Sequence, residues 1–143
     1  MLRRIATLSG DGADTVVRAA LAHAAELDIL VSVAVCDAGG RLVAFRRADD
    51  AEIASIALAQ DKAFTALSNK MSTRELGRQA QPGGPLYGIF ANLAGRMVTF
   101  DGGVPAYSGR SLVGGVGVSG GSPEEDEACC LAGLAAAGLH ATG

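Results

Sequence analysis

The sequence predicts an α/β chain of the α+β kind, with helices packed against an antiparallel sheet. Three observations predict it. Stretches with apolar residues at helical spacing stand at the start, middle and end of the chain. Short Val- and Ile-rich runs fall in two groups between them. Gly-rich turns inside those groups join neighbouring runs as hairpins rather than crossovers.

The first helix is expected over 11–27, where Val16, Val17, Ala20, Ala24 and Leu27 recur on one side and Asp11 stands as N-cap. "ILVSVAVCD" (29–37) reads as a strand, and the "DAGG" turn joins it to a second, "RLVAFRR" (41–47). The second long helix spans 49–69. Asp49 and Glu52 form a capping-box pattern at its start. Its apolar stripe is Ile53, Ile56, Ala57, Phe64 and Leu67, interrupted by Gln60, whose amide needs solvent or a partner. Ser72 and Glu75 open a short helix that "QPGGP" ends. "RMVTF" (96–100) is a third strand, followed by a short one over 104–107 and a strong one over 111–119. That makes a five-stranded antiparallel sheet. Ser122, with Pro123 and Glu125, caps a last helix running to about 139. No linker, repeat or low-complexity tract divides the chain, so 1–143 reads as a single domain.

Composition limits the function. The chain is 49% hydrophobic and 19% charged, with a net charge of −3 and no basic run. Nucleic acid is therefore not an expected partner. "MLRRIATLSG" lacks the apolar run of a signal peptide, and no stretch approaches membrane-spanning length, so no membrane association and a cytoplasmic location are expected. Cys36, Cys129 and Cys130 have no zinc-ligand spacing and read as reduced, buried residues; no zinc is expected.

The stretch "VGGVGVSGGSPEED" holds Gly115, Gly117 and Gly120 in G-x-G-x-x-G spacing between a strand and a helix, the setting of a dinucleotide turn. NAD is nevertheless not expected. No second strand follows the helix, no acidic residue stands about 20 positions on, and Glu124, Glu125 and Asp126 crowd the helix start where a pyrophosphate needs positive potential. The Ser122–Glu125 capping box also engages the donors a phosphate would use. The glycines serve another end. By strict alternation Val113, Gly115, Gly117 and Ser119 share one strand face, bare enough for a helix, another subunit or a flat ligand to approach the backbone.

Several residues carry two readings each. Lys62, beside the apolar stripe, is a structural ion pair with a partner such as Asp37, or it binds an anion or forms a Schiff base. Gly83 and Gly84 in "QPGGPLYGI", and Gly102 and Gly103 in "FDGGVP", make tight turns or present backbone N–H groups to a ligand. Tyr87 adds a flat face and a hydroxyl, and Arg110 a candidate anion contact. His140 is expected to fray at the terminus. If the protein is an enzyme, Lys62, Asp37, Tyr87 and Asp101 are the acid–base candidates.

Taken together, "VSVAVCDAGGRLVAFRRADDA", "IALAQDKAFTA", "QPGGPLYGI", "FDGGVP" and "LVGGVGVSGGSPEEDEACCLAG" resemble, in order and spacing, the GlcG/HbpS-like family. That family includes the haem-binding C-terminal domain of PduO-type cobalamin adenosyltransferases. The resemblance implies a profilin-like three-layer α/β/α fold with a five-stranded antiparallel sheet, and symmetric homo-oligomers from dimers to octamers. It also implies haem as a cofactor in some members, a redox-sensing secreted branch, and others encoded in catabolic operons. Many relatives carry His-Arg in the strand after the "DAGG" turn, where this chain has Arg46-Arg47. His23 in the first helix is then either a partly buried residue with a local bond or the haem-iron ligand, the only metal-ligating role foreseen. The resulting expectation is a cytoplasmic, oligomeric small-ligand-binding protein, its ligand held by His23, Lys62, Gly83, Gly84, Tyr87, Gly102, Gly103 and Arg110, with haem as the ligand the resemblance names. The alternatives are a cofactor-independent enzyme acting on a small carboxylate or carbonyl compound, and a structural oligomer.

Overall fold

Two tight reversals build the sheet. The first joins β1 (Ser32–Asp37) to β2 (Leu42–Arg47) and the second joins β3 (Gly103–Ser108) to β4 (Ser111–Ser119). Asp37 Oδ1 accepts the N–H groups of Gly39 and Arg41, and Gly40 takes the positive φ (79°) that closes the turn. The computed structural model describes residues 1–143. Its helices are α1 (Gly10–Glu26), α2 (Ala54–Asn69), α3 (Thr73–Gln79) and α4 (Pro123–Ala136), with single 3₁₀ turns at Ile89–Ala91 and Leu93–Gly95. The strand order is β2-β1-β4-β3, every pair antiparallel.

The two central strands face a helix layer on each side. On one face Ala13, Val16 and Ala20 of α1 and Cys129, Cys130 and Leu134 of α4 pack with Val33, Val35, Val116 and Val118. On the other, Ala59, Ala63 and Leu67 of α2 meet Ala34 and Cys36. The layers are thus α/β/α, as expected. The bare face of β4 lies under α2. A Cβ at Gly117 would collide with the Ala59 carbonyl and stand 2.6 Å from the Ala63 nitrogen, and one at Gly115 would collide with the Ala63 carbonyl. Of the three expected uses of that face, the helix occupies it.

The sheet has four strands, not five. Residues 96–100 form no strand: Arg96 closes a 3₁₀ turn in the right-handed helical region, and the Thr65 hydroxyl of α2 donates to the Arg96 carbonyl (3.1 Å) and accepts from Val98 N (3.1 Å). The strict alternation expected for β4 also breaks. A register shift against β3 opposite Val113 puts Val113 in the cluster with Val116 and Val118, away from Gly115 and Gly117.

Helix starts differ in detail. Ser9, not Asp11, caps α1, its hydroxyl accepting from Gly12 N at 3.1 Å. The capping box expected at Asp49 and Glu52 is absent. The chain turns there through Asp50 at φ 63°, and α2 begins at Ala54 with no side-chain cap. At Ser122 both halves of the capping box form, and Ser72 caps α3. Of the expected stripe on α2, Leu67 is buried against Ala34 and Cys36, but Ile53 is exposed and Phe64 lies under the Arg96 guanidinium (3.9 Å). Small residues such as Ala59 and Ala63, with Lys62, take the rest of the buried side, because only small residues let the helix approach the glycines. Gln60 satisfies its amide on the Ile56 carbonyl. His140 does not fray; its backbone pairs with Tyr107 in both directions.

Gly117→Val is expected to lower stability by roughly 1–3 kcal/mol, since the backbone of α2 must give way. Urea denaturation checks this through the midpoint, with an unchanged slope.

Candidate functional site

Lys62 enters the structure from the middle of α2 and is 1% exposed. A buried ammonium without partners is costly, so its three protons must find acceptors. Nζ donates to the Val118 carbonyl of β4 at 2.8 Å and to Asp126 Oδ2 of α4 at 3.0 Å, and it stands 5.1 Å from the Phe100 ring centroid. Asp126 Oδ1 in turn accepts Gly121 N at 2.8 Å. Burial pushes the Asp126 carboxyl up from its ordinary value, while Lys62 and the backbone N–H groups pull it down. Gly102 leaves room for the ammonium: a Cβ there would stand 2.6 Å from Nζ. One at Gly103 would collide with the Lys62 carbonyl. Lys62, Gly102 and Gly103 are therefore brought together, and they knit α2, β3, β4 and α4 around one enclosed ion pair.

The expected Asp37 partner for Lys62 is corrected to Asp126. Asp37 instead holds its own turn. Asp101 accepts from Arg74 Nε at 3.0 Å, and Arg74 Nη2 lies 2.9 Å from Glu127 Oε1. Sequence reasoning passed over Arg74 and Glu127, because charges 27 and 53 positions apart give no local signal of pairing. The thiols are buried. Burial pushes those of Cys36 and Cys129 up to about 11, and Cys130 well above its usual value, with its Sγ donating to the Gly102 carbonyl.

The remaining candidates lie on the periphery. Gly83 and Tyr87 sit on an exposed loop, Tyr87 edge-on to Phe90 with centroids 6.4 Å apart. Gly84 N is engaged by the Gln81 carbonyl. Arg110, at the β3–β4 turn, borders a cavity of about 410 Å³ with Arg3, Lys70, Tyr107 and Leu112. Three cations and no carboxylate line it, so it suits an anionic group; Arg3 and Lys70 were not foreseen. His23 on α1 is one-third exposed, with Nδ1 3.4 Å from Glu26 Oε2. It does not line the cavity of about 490 Å³ between the end of α1 and β2, whose walls are Leu21, Ala22, Ala25, Ile29 and Leu30, with Arg46, Asp28 and Asp49 as its charged residues. No hydrogen bond joins Lys62, Asp37 and Tyr87 into an acid–base set. No helix is long and apolar enough to cross a membrane.

Comparison with known proteins adds to this geometry. The family described as "Haem degrading protein HbpS-like" matches residues 8–135. The chain is 42% identical over 109 residues to the corrinoid adenosyltransferase PduO of Citrobacter freundii, a match that covers 76% of this chain but only 32% of that protein. It is 36% identical over 124 residues to a 15.0 kDa protein of the dhaT–dhaS intergenic region of the same organism, 87% of each chain. Among solved structures it resembles a PduOC–haem complex, at a TM-score of 0.92 and 37% identity, over 96% of this chain and 99% of that one.

Lys62→Met is expected to cost about 3–5 kcal/mol, because it strands a buried carboxylate. Adding Asp126→Leu should recover part of that loss. Denaturation of the single and double variants checks both statements; equal midpoints for the wild type and Lys62→Met would remove the ion pair from the account.

Proposed function

The chain belongs to the HbpS-like family, and on that premise we propose that it is a cytoplasmic, oligomeric small-ligand-binding protein whose ligand is haem. The observation that carries the reading is the likeness to the PduOC–haem complex over nearly the whole of both chains. The residues of this chain fit the group. His23 presents a one-third-exposed imidazole on α1, and Arg46 of β2 is a guanidinium that would meet a carboxylate. With Glu26 beside Nδ1, Nε2 is the nitrogen that would hold the iron. When bound, haem would supply a redox-active iron. The chain's own part would be to offer the imidazole and to pair a propionate with a guanidinium.

His23 is one-third exposed and lines none of the cavities described above, so a second copy of the chain completes the site in this reading. Exposed Leu27 and Leu30, near the same end of α1, are the apolar surface such a contact would cover. Gly83, Gly84 and Tyr87 lie on an exposed loop and enter the reading as ligand contacts only through such an assembly. Lys62, Gly102 and Gly103 serve it by holding the sheet and α4 in place rather than by touching ligand.

A specific observation also favours a small carboxylate as a second ligand class: the cavity lined by Arg3, Lys70 and Arg110. The enzyme alternative starts from that cavity, with the anion held by Arg110.

Haemin titration tests the leading reading. A saturable, shifted Soret band is expected in the wild type and its loss in His23→Ala. No saturable band in the wild type contradicts haem binding. Sedimentation at micromolar concentration tests the assembly, with a species larger than the monomer as the expected result.

A further inference from the structure

A different part of the molecule carries an unmet hydrogen-bonding need. Glu127, on α4, is 8% exposed. Its Oε1 meets Arg74, but Oε2 is buried and finds no hydrogen-bond partner in the chain. It is the one buried side-chain oxygen or nitrogen so placed. An atom left so has lost its hydration with nothing in return, and the loss is greater for a charged group. Arg74 reaches only Oε1, through Nη2, while its Nε serves Asp101. Burial pushes the Glu127 carboxyl up from its ordinary value, with Asp101 adding to the shift and Arg74 opposing it.

Glu127 lines a cavity of about 360 Å³ between α3, β3, α4 and the last residues of the chain. Its walls are Val104, Leu131 and Ala141, with Tyr107 at one side and a second carboxylate, Glu75, at another. The volume is at the lower end of small-molecule pockets, and the mixture of apolar wall and few polar groups is typical of them. The cavity is lined by neither His23 nor Arg46, so the inference stands apart from the haem reading. Among the charged residues on this wall are two carboxylates against the single ammonium of Lys70.

We propose that this cavity binds a small organic cation, an ammonium on a short apolar body, whose N–H is donated to Glu127 Oε2. The cation supplies the missing donor and keeps the buried carboxylate ionised. Its carbon chain lies against Leu131 and Val104. A neutral alcohol would satisfy Oε2 but not compensate the charge, and a carboxylate would meet Glu75 and Glu127 as like charges.

The test uses n-butylammonium as the probe, with n-butanol and butyrate at the same concentrations, followed by calorimetry and by NMR shifts of Leu131 and Tyr107. The expected result is saturable binding of n-butylammonium alone, weakened at least tenfold in Glu127→Gln. Leu131→Trp, at the cavity's exposed rim, fills the space and is expected to abolish binding while keeping the thermal midpoint. That variant decides the matter if Glu127→Gln does not fold. No saturable binding of the amine, equal binding of n-butanol, or unchanged amine affinity in a folded Glu127→Gln or Leu131→Trp overturns the proposal; in the first case water fills the cavity.

Discussion

The close approach of α2 to β4 governs the rest of this structure. Backbone meets backbone where Gly117 lies under Ala59 and Ala63, and Gly115 under Ala63. Such contact excludes side chains from the shared face, so stabilisation there comes from dispersion between closely packed main chains rather than from large apolar side chains. It also leaves a long side chain from the same face of the helix no route to solvent. Lys62 is that side chain, and the structure answers its charge with Asp126 from the opposite layer. A helix on one face of the sheet is thereby tied to a helix on the other through the edge of β4. The glycines and the ion pair are one design: Gly102 makes room for the ammonium, Gly103 for the backbone that carries it.

This has a consequence for where ligands bind. Residues that look functional in the sequence because they are polar or glycine-rich are in part consumed by packing. Gly102 and Gly103 touch Lys62, and Asp37 closes a turn. Open space lies instead at the periphery, and three such places matter most: between the end of α1 and β2 near Arg46, at the β3–β4 turn near Arg110, and between α3 and α4 at Glu127. Each is bordered by an element fixed to the central layers and a segment at the edge. Family membership and the likeness to a haem complex bear on the first. The charge of the lining residues distinguishes the other two, basic at Arg110 and carboxylate-rich at Glu127.

Local chemistry made much of the fold legible. The Ser122 cap, both hairpins, the span of β4 and the use of its bare face by a helix follow from residues within a few positions of one another. The long-range choices were hidden. Thr65 takes hydrogen bonds of Arg96 and Val98 from 31 and 33 positions away, and the strand expected there joins no sheet. Hydrophobicity pointed to Ile53 and Ile56 as the inner side of α2, whereas the glycines demanded Ala59 and Ala63. The partner of Lys62 lies 64 positions on, beyond any periodicity argument. At the candidate site, His23 and Arg110 were visible as isolated residue types, but Arg3 and Lys70 became relevant only when the fold placed them beside Arg110, and Glu127 only when its burial left an oxygen unpaired.

Native-state hydrogen exchange tests the governing role of the α2–β4 contact most directly. The account predicts that the amides of Lys62, Ala63 and Ala66 in α2 and of Val116 and Val118 in β4 share one opening free energy, equal to that of global unfolding, because the helix cannot leave without exposing the glycine face and breaking the Lys62–Asp126 pair. Exchange of the α2 amides at a clearly lower free energy, with the β4 amides still protected to the global limit, would contradict it.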